Sequence, residues 1–271
     1  MPAIVLSIVG STAYEQLSAR QRVFTVPIAQ VTVEVDSGNI TVERATGQNT
    51  LVTTSGVHGL TDPTDQEHVV NHSLVIRSSC GTRIFNDRCD RNYVIHVQSE
   101  ATVTARSGQG NVTVTDMAGA ISAHSDQGDV TITGGSGHLA ASSGQGGVTV
   151  SRSSASSLSV QSGQGDVNVD LVSSPNRVTA SSGQGGVTVE LPKGPNSYQV
   201  HATSGQGNVS DSVNDDPASH RVINASSGQG DVTVRYRSGG SPDKECPTSG
   251  RKSKFEGARH LNRPKWTDHS A

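Results

Sequence analysis

Residues 142–150 read Ser-Ser-Gly-Gln-Gly-Gly-Val-Thr-Val, and versions of this stretch recur along most of the chain. The Ser-Gly-Gln-Gly tetrad is present six times, and a seventh copy has Asp in place of its first Gly. Successive tetrads begin 18, 18, 19, 20, 22 and 23 residues apart. A short motif at a nearly constant period predicts a solenoid, in which each repeat buries its apolar face against its neighbours. The tetrads are Ser107-Gly108-Gln109-Gly110, Ser125-Asp126-Gln127-Gly128, Ser143-Gly144-Gln145-Gly146, Ser162-Gly163-Gln164-Gly165, Ser182-Gly183-Gln184-Gly185, Ser204-Gly205-Gln206-Gly207 and Ser227-Gly228-Gln229-Gly230.

Each tetrad lies between two short runs in which apolar and polar residues alternate. Val103 and Ala105 precede the first tetrad, and Val112 and Val114 follow it. Alternation of this kind, rich in β-branched residues, indicates half-buried strands. The unit after Gly207 departs from the pattern, because Asp211 stands where the second valine is expected. We therefore predict an all-β fold, a β-solenoid with two strands per repeat stacked about 4.8 Å apart.

The tetrads also suggest how the turns between strands are made. We expect their glycines to take φ > 0, which glycine does at no steric cost. The Asn, Asp or Gly after each tetrad is expected to be a further left-handed turn residue. The glutamine is the same in all seven copies. Stacked in register, these amides would hydrogen-bond to one another or close each turn.

Sequence patterning divides the chain into four parts. Residues 1–21 begin with an apolar segment that is too short to span a bilayer. It is either a first strand, a loose terminus or the remnant of a membrane anchor. Residues 22–98 are predicted to form a β-rich cap with irregular repeats, and residues 99–237 the regular solenoid. Residues 238–271 are polar and rich in turn residues, so we expect them to be disordered.

Two kinds of loop are expected within these parts. Residues 57–69 carry Pro63 and several acidic residues, so we predict an exposed loop in the cap. The repeats lengthen toward the C-terminus by extra residues at 173–176, 192–196 and 214–219. We expect these insertions to form loops on one edge of the solenoid, where they would set ligand specificity.

Composition limits the classes of function. Apolar residues are 32% of the chain and aromatic residues 3%, which suits a thin core of Val, Ala and Ser better than a large globular core. The net charge is −3, and no basic residue recurs at a fixed place in the repeats. Nucleic-acid binding is therefore not expected to be the main function.

The chain has three cysteines. Cys80 and Cys89 flank a short segment between two strand-like runs, 73–77 and 93–97. A disulfide between them would imply an oxidising compartment, and the alternative is two unrelated thiols in a cytosolic protein. Cys246 lies in the polar tail and is expected to be unpaired. No Cys-x-x-Cys metal spacing is present.

The Ser-Gly-x-(Gly)-Asp/Asn-Val-Thr-Val units from Ser37 to Val234 resemble a bacterial adhesin-like family of short β-strand repeats, a domain of unknown function. The resemblance covers residues 20–237 and includes the segment from Cys80 to Cys89 before the strand 93–97. It implies a surface protein held by an N-terminal membrane helix, which favours the remnant-anchor interpretation of the apolar start. Members commonly have Asp or Thr where this chain has Gly-Gln.

Several patterns that suggest chemistry have simpler explanations. Asp170 and Glu190 occupy the same place in successive repeats, and a glycosidase needs two carboxylates about 5–9 Å apart. They end strands, however, with no aromatic platform nearby, so we predict no catalytic residue. His68 and His72 would form a metal pair only on a helix, and the residues after the tetrads do not have calcium-repeat spacing. We therefore expect no metal and no cofactor.

Outward threonines suggest one more activity. The pairs Thr113/Thr115, Thr131/Thr133 and Thr149/Ser151 would form a flat array of the kind that binds ice, but charge at Asp170 and Glu190 interrupts it. Threonine also simply suits exposed strand positions.

We therefore expect a non-enzymatic, extracytoplasmic structural or adhesive module with an unknown surface ligand, protein or glycan. We expect no nucleic-acid partner. If the apolar start is the remnant of a membrane anchor, the protein is held at the membrane through its N-terminus. The sequence does not predict the oligomeric state. The alternatives are a carbohydrate-binding or carbohydrate-active β-helix, an intracellular scaffold and an ice-binding solenoid.

Overall fold

The computed structural model describes residues 15–58, 63–81 and 89–237, with side chains from Ala19 onward. The predictions for the apolar start, for Cys246 and for the tail lie outside the described residues. Within them the chain forms 21 strands in two sheets and no helix. The strands are β1 Glu15–Phe24, β2 Gln30–Val35, β3 Ile40–Arg44, β4 Thr50–His58, β5 Thr64–Val70, β6 Ser73–Ser79, β7 Cys89–Val97, β8 Thr102–Ser107, β9 Val112–Thr115, β10 Ile121–Ser125, β11 Val130–Thr133, β12 Leu139–Ser143, β13 Val148–Ser153, β14 Ser157–Ser162, β15 Val167–Leu171, β16 Arg177–Ser182, β17 Val187–Leu191, β18 Gln199–Ser204, β19 Val209–Asp211, β20 Val222–Ser227 and β21 Val232–Tyr236.

The two sheets are built by coils, each of which contributes one strand to either sheet. Sheet B contains the strand before each tetrad, and sheet A the strand after it. The order in sheet A is β1-β4-β7-β3-β9-β11-β13-β15-β17-β21-β19, and in sheet B β18-β20-β16-β14-β12-β10-β8-β2-β6-β5. Neighbouring coils pair in parallel with equivalent residues opposite each other, as in Val112↔Val130↔Val148. This is the β-solenoid that the repeats predict.

The core is the narrow space between the two sheets. Inward residues of successive coils stack in columns, and the sheet B column of Val103, Ile121, Leu139 and Leu158 is at most 3% exposed. Each such side chain contributes about 1.5–3 kcal/mol of burial free energy. Most inward positions are Val, Ile, Leu or Ala and most outward positions are polar, so the alternation in the sequence identified the core.

The coils are not stacked in chain order at either end. The coil β2–β3 lies between the coils β6–β7 and β8–β9, although in the chain β6 and β7 come after β3 and before β8. At the other end β20–β21 lies between β16–β17 and β18–β19. The connection from Ser212 to Arg221 carries the chain back over the end coil. Sequence could not predict this order, since all coils present the same alternating pattern to their neighbours.

The N-terminal end is closed by antiparallel strands. Strand β4 pairs with β1 and β7, and β5 pairs with β6 at the edge of sheet B. The prediction of an exposed loop over 57–69 is therefore wrong for residues 57–58, which belong to β4, and for residues 64–69, which belong to β5. Its residues Asp65 and Glu67 share the inward register of β6. Their charges are compensated by Arg91 and Arg22.

Candidate functional site

The serine of each tetrad joins one coil to the next. Ser143 is buried, and its Oγ donates to the carbonyl oxygen of Gly128 in the preceding coil at 2.7 Å. The same Oγ accepts the backbone N–H of Gly146 at 2.9 Å. One hydroxyl thus closes its own turn and bonds to the adjacent turn. Ser107, Ser125, Ser162, Ser182, Ser204 and Ser227 make the same pair of bonds.

The tetrad glycines are required for a different reason from the one predicted. None of them takes a positive φ, since among the described glycines only Gly38, Gly134 and Gly135 do. The prediction of left-handed glycines is therefore wrong. Adjacent turns approach so closely that a Cβ on Gly110 would lie 2.0 Å from the Gly38 carbonyl oxygen. A Cβ would come within 2.5 Å of backbone also at Gly108, Gly128, Gly144, Gly146, Gly163, Gly165, Gly183, Gly185, Gly205, Gly207, Gly228 and Gly230.

The residue after each tetrad forms a second ladder. None of these residues has a positive φ, so the prediction of a left-handed conformation is wrong here as well. Asn111 Oδ1 instead accepts the backbone N–H of Asp129 in the next coil at 2.9 Å, and Asp129 Oδ1 accepts that of Gly147 at 2.8 Å. Asn39, Asp166 and Asp231 bond in the same way. Asn or Asp at this position supplies a side-chain oxygen, whereas Gly147 and Gly186 only donate their backbone N–H and interrupt the ladder.

The seven tetrad glutamines lie on the outside of these turns, which together form the tetrad edge. All seven are exposed. The serines close the turns, so closure does not depend on the glutamines. An amide ladder between them stays a prediction.

The disulfide expected from the sequence is present. Cys80 Sγ and Cys89 Sγ are bonded at 2.03 Å. Cys80 follows β6 and Cys89 begins β7, so the bond links the two sheets at the N-terminal end of the array.

The C-terminal insertions meet on the opposite side of the solenoid from the tetrads. Each connects a strand of sheet A to the next strand of sheet B, and together residues 172–176, 192–198 and 212–221 form the loop edge. Side chains tie the loops together. Asn196 Nδ2 donates to Ser174 Oγ at 2.8 Å, and Ser219 Oγ donates to the Ser197 carbonyl oxygen at 2.8 Å. The prediction that the insertions share one edge is in agreement with these contacts.

A cavity of about 610 Å³ opens between these loops. Polar groups of Asn176, Asn196, Ser197 and Arg221 line it, with Pro195 and Ala218 as its apolar walls. Arg221, which sequence reasoning did not single out, is half-buried in its lining. The volume is within the range of small-molecule sites, about 300–1,000 Å³.

A second cavity, of about 460 Å³, lies beside the tetrad edge on sheet B and is charged. Its lining includes Glu34, Asp36, Arg106, His124 and Asp126. Glu34 Oε2 is paired with Arg77 at 2.9 Å. Asp126 belongs to the one tetrad that has Asp in place of Gly, so the sequence irregularity marks this cavity.

Three of the residues near this cavity form a hydrogen-bonded chain. His124 Nδ1 lies 2.8 Å from Ser142 Oγ, and its Nε2 lies 2.8 Å from Asp126 Oδ1. This is the connectivity of a serine hydrolase triad. However, β12, which carries Ser142, pairs with strands on both sides, so its backbone N–H groups are engaged in the sheet and offer no oxyanion hole. The Asp126 side chain is also 68% exposed, so it orients the imidazole weakly.

Comparison with known proteins places the chain in a family. The family model Toastrack DUF4097 matches residues 21–240. The chain belongs to the Toastrack DUF4097 family. No curated protein matches it.

Solved structures similar to this Toastrack chain share little of its sequence. One is from Bacteroides fragilis and is described provisionally as an adhesin, with 17% identity, 81% of this chain and 97% of that chain covered, and a TM-score of 0.49. A Parabacteroides distasonis protein with the same description has 11% identity, coverage of 81% and 97%, and a TM-score of 0.43. A protein from Clostridium sporogenes, described provisionally as a cell adhesion protein, has 12% identity, coverage of 81% and 100%, and a TM-score of 0.34.

The two carboxylates considered for catalysis are adjacent in this Toastrack solenoid. Asp170 pairs with Glu190 between β15 and β17. Arg235 donates to Glu190 Oε1 from Nε at 2.8 Å and from Nη2 at 2.6 Å, and Arg237 Nε lies 2.6 Å from Asp170 Oδ1. Each carboxylate thus has its own arginine partner.

The structure also locates the residues that were considered for metal binding and for ice binding. No cluster of three or more His, Cys, Asp or Glu suited to a metal occurs within the described ranges. His68 lies on β5, and His72 Nδ1 is 2.9 Å from the Pro27 carbonyl oxygen. Thr113, Thr131 and Thr149 are in register on sheet A. With Thr41, which pairs with Thr113, the threonine column spans four coils before Asn168 follows.

Proposed function

We propose that this Toastrack chain is a non-enzymatic, extracytoplasmic binding module that holds a surface ligand at its loop edge. The observation that carries the proposal is the cavity between the insertions. The coils from β8 to β17 are closely similar, and the loops at 172–176, 192–198 and 212–221 depart from that regularity on one edge. Loops on a rigid scaffold are where binding residues concentrate.

The scaffold supports this role by its rigidity. Two hydrogen-bond ladders, from the tetrad serines and from the Asn or Asp after them, join the coils on one side of the core. On the other side the insertions are joined by side-chain bonds such as Asn196 to Ser174. A cavity whose walls are held in this way needs little ordering on binding, and preorganisation lowers the cost of association.

The disulfide supports a location outside the cytoplasm. Bonds such as Cys80–Cys89 form and persist in oxidising compartments and are rare where thiols are kept reduced. Within the described residues no helix has the length and apolar character needed to cross a membrane.

A comparison of the two edges tests the proposal. Full-length protein, immobilised on beads, would be exposed to a glycan panel and to intact cells. We expect retention that is lost in the triple variant Asn196→Ala, Ser197→Ala, His220→Ala, which removes three of the polar side chains that line the loop cavity. The matched control Gln145→Ala, Gln164→Ala, Gln184→Ala removes the same number of polar side chains from the tetrad edge and should retain binding.

The result that contradicts the proposal is equally direct. Binding that survives the loop variant but is lost in the glutamine variant would move the site to the tetrad edge. Release of reducing ends from any polysaccharide of the panel, abolished by Ser142→Ala or Asp170→Asn, would show an enzyme. Thermal melts of both variants establish that each is folded.

A further inference from the structure

We propose that the loop cavity binds the carboxylate of an acidic sugar, with Arg221 as the residue that recognises it. This inference rests on the proposed function, because it names the ligand of the same site. It is carried by the way in which the Arg221 guanidinium is held, by the charge around it and by the remaining polar groups of the cavity.

The Arg221 guanidinium is fixed at one nitrogen only. Its Nη1 donates to Asn176 Oδ1 at 2.8 Å, to the Pro175 carbonyl oxygen at 3.1 Å and to the Ser174 carbonyl oxygen at 3.4 Å. Among the described residues, no acceptor bonds Nε or Nη2. Those two N–H groups form the side of the guanidinium that binds a carboxylate in a bidentate manner. The loop 172–176 therefore orients Arg221 and leaves its carboxylate-binding side available.

The charge of the cavity favours an anion. No Asp or Glu is among the residues that line it. The nearest carboxylate along the chain is Asp216, whose Oδ1 accepts the Ala218 N–H at 3.0 Å and whose Oδ2 accepts the Ser197 hydroxyl at 3.2 Å. In the cavity beside the tetrad edge, by contrast, Arg106 is accompanied by Glu34, Asp36 and Asp126. Of the two cavities, the loop cavity is the one suited to a negative ligand.

The other polar groups suit the hydroxyls of a sugar. Asn176 accepts from Arg221 through Oδ1 and keeps its amide N–H groups, while Asn196 donates through Nδ2 to Ser174 and keeps its Oδ1. The cavity thus retains neutral donors and acceptors, and a sugar hydroxyl can satisfy both kinds. Without an aromatic wall, a single site should bind weakly, and repeated units of a polysaccharide would raise the overall affinity.

The test is a titration of ¹⁵N-labelled full-length protein with trigalacturonic acid and with its uncharged methyl ester. We expect saturable shifts at backbone amides of the loop edge with the acid, and at least about tenfold weaker binding of the ester. No binding of the acid, equal binding of acid and ester, or shifts centred on Arg106 and His124 would overturn the inference. If the immobilised protein still retains glycans or cells and the loop-edge triple variant does not, the proposed function stands even though the ligand is not an acidic sugar.

Two variants separate recognition from loop architecture. Arg221→Lys keeps the charge but loses the fork, and should weaken binding of the acid about tenfold. Asn176→Asp keeps an acceptor for Arg221 Nη1, so the contact between the loops is kept, but it adds a negative charge to the cavity lining beside the guanidinium that would bind the sugar carboxylate. We expect Asn176→Asp to weaken binding of the acid by at least about tenfold and binding of the ester by much less. Asn168→Asp, which adds the same charge on sheet A, should bind as wild type.

An unchanged affinity of Asn176→Asp for the acid would contradict the proposed site even if Arg221→Lys fails to fold. Inorganic sulfate and phosphate form the remaining arm of the experiment. Displacement of trigalacturonic acid by either of them at equal concentration would show a general anion site and overturn the assignment to a sugar carboxylate.

Discussion

At the scale of single residues, the solenoid is held together by the serines and glycines of the tetrads, whose small side chains allow adjacent turns to pack closely. The tetrad serine uses one hydroxyl for two bonds, and the glycines allow turns to pack backbone against backbone. The sequence correctly predicted turns at these positions, but it explained the glycines by a left-handed backbone conformation. A turn glycine is compatible with either role, and only the distance between adjacent coils, such as 2.4 Å from a Cβ on Gly185 to the Gly165 carbonyl oxygen, decides between them.

Two neighbouring glycines provide a direct test of this explanation. We expect Gly185→Ala to destabilise the protein by about 1–3 kcal/mol or more, because the new methyl group would overlap the backbone of the adjacent coil. Gly186→Ala should be neutral or stabilising by up to about 1 kcal/mol, since its Cβ would lie 3.4 Å from the nearest atom and its φ is not left-handed. Urea unfolding would measure both. Equal losses for the two variants would contradict the role of close approach.

The buried tyrosines differ in whether their hydroxyl has a partner. Tyr93 Oη donates to Asp65 Oδ1 at 3.2 Å, whereas Tyr198 Oη is buried without a partner among the described residues. We expect Tyr93→Phe to cost about 1 kcal/mol and Tyr198→Phe to be neutral or stabilising, because an unsatisfied buried hydroxyl carries a desolvation penalty. A larger loss for Tyr198→Phe than for Tyr93→Phe would contradict this assignment of partners.

Tyr93 also predicts a dependence of stability on pH. Burial first, and then the charges of Asp65 and Glu67, raise the pKa of Tyr93 well above its ordinary value of about 10. Above pH 10 the unfolded state loses this proton while the folded state keeps it, so the free energy of unfolding should fall as the pH rises. The slope should be smaller in Tyr93→Phe. Identical slopes between pH 9 and 11 would show that Tyr93 does not titrate differently on folding.

At the scale of elements, the ends of the solenoid need the most explanation. A bare edge strand invites pairing with another chain, and inward-pointing charge is one way in which proteins prevent it. Strand β5 places Asp65 and Glu67 in the inward register at one end. At the other, β19 has Asp211 opposite the buried Val234 of β21. The missing valine that the sequence showed at 211 is thus a property of the end coil.

This interpretation predicts what happens when the charge is removed. Asp211→Val restores the inward valine on an edge strand that is already exposed, with Val209 at 47%. We expect concentration-dependent self-association at tens of micromolar protein, detected by sedimentation velocity. Ser210→Val adds an apolar residue to the outward side of the same strand and is the matched control. Monomeric Asp211→Val, or equal association of the two variants, would contradict a protective role of Asp211.

The order of the coils shows where sequence reasoning stops at this scale. Strands, inward columns and the two edges all follow from residues whose alternation is visible, such as Val112 and Val114. The exchange that places β20–β21 beside β16–β17 does not, because Val222–Ser227 fits against Arg177–Ser182 as well as Gln199–Ser204 would. Arg221 was overlooked for a related reason. It follows the longest insertion, and its importance comes from a loop 45 residues earlier in the chain.

At the scale of the whole molecule, the described part of residues 15–237 is a stack of coils with one regular edge and one varied edge. The regular edge is occupied by bonds between coils, and the varied edge carries the cavity. This difference between the two edges is the reason for assigning ligand binding to the loops. The proposed location outside the cytoplasm rests on the Cys80–Cys89 bond, because such bonds persist in oxidising compartments.

The thiol state of Cys80 and Cys89 in protein taken from its native cells tests this account most directly. Alkylation before and after reduction, followed by mass spectrometry, would reveal whether the two cysteines are blocked by a bond to each other. We expect them to be labelled only after reduction, as for a protein that folds and works outside the cytoplasm. Two thiols that are labelled without reductant would contradict an extracytoplasmic binding module and point to a protein that works inside the cell.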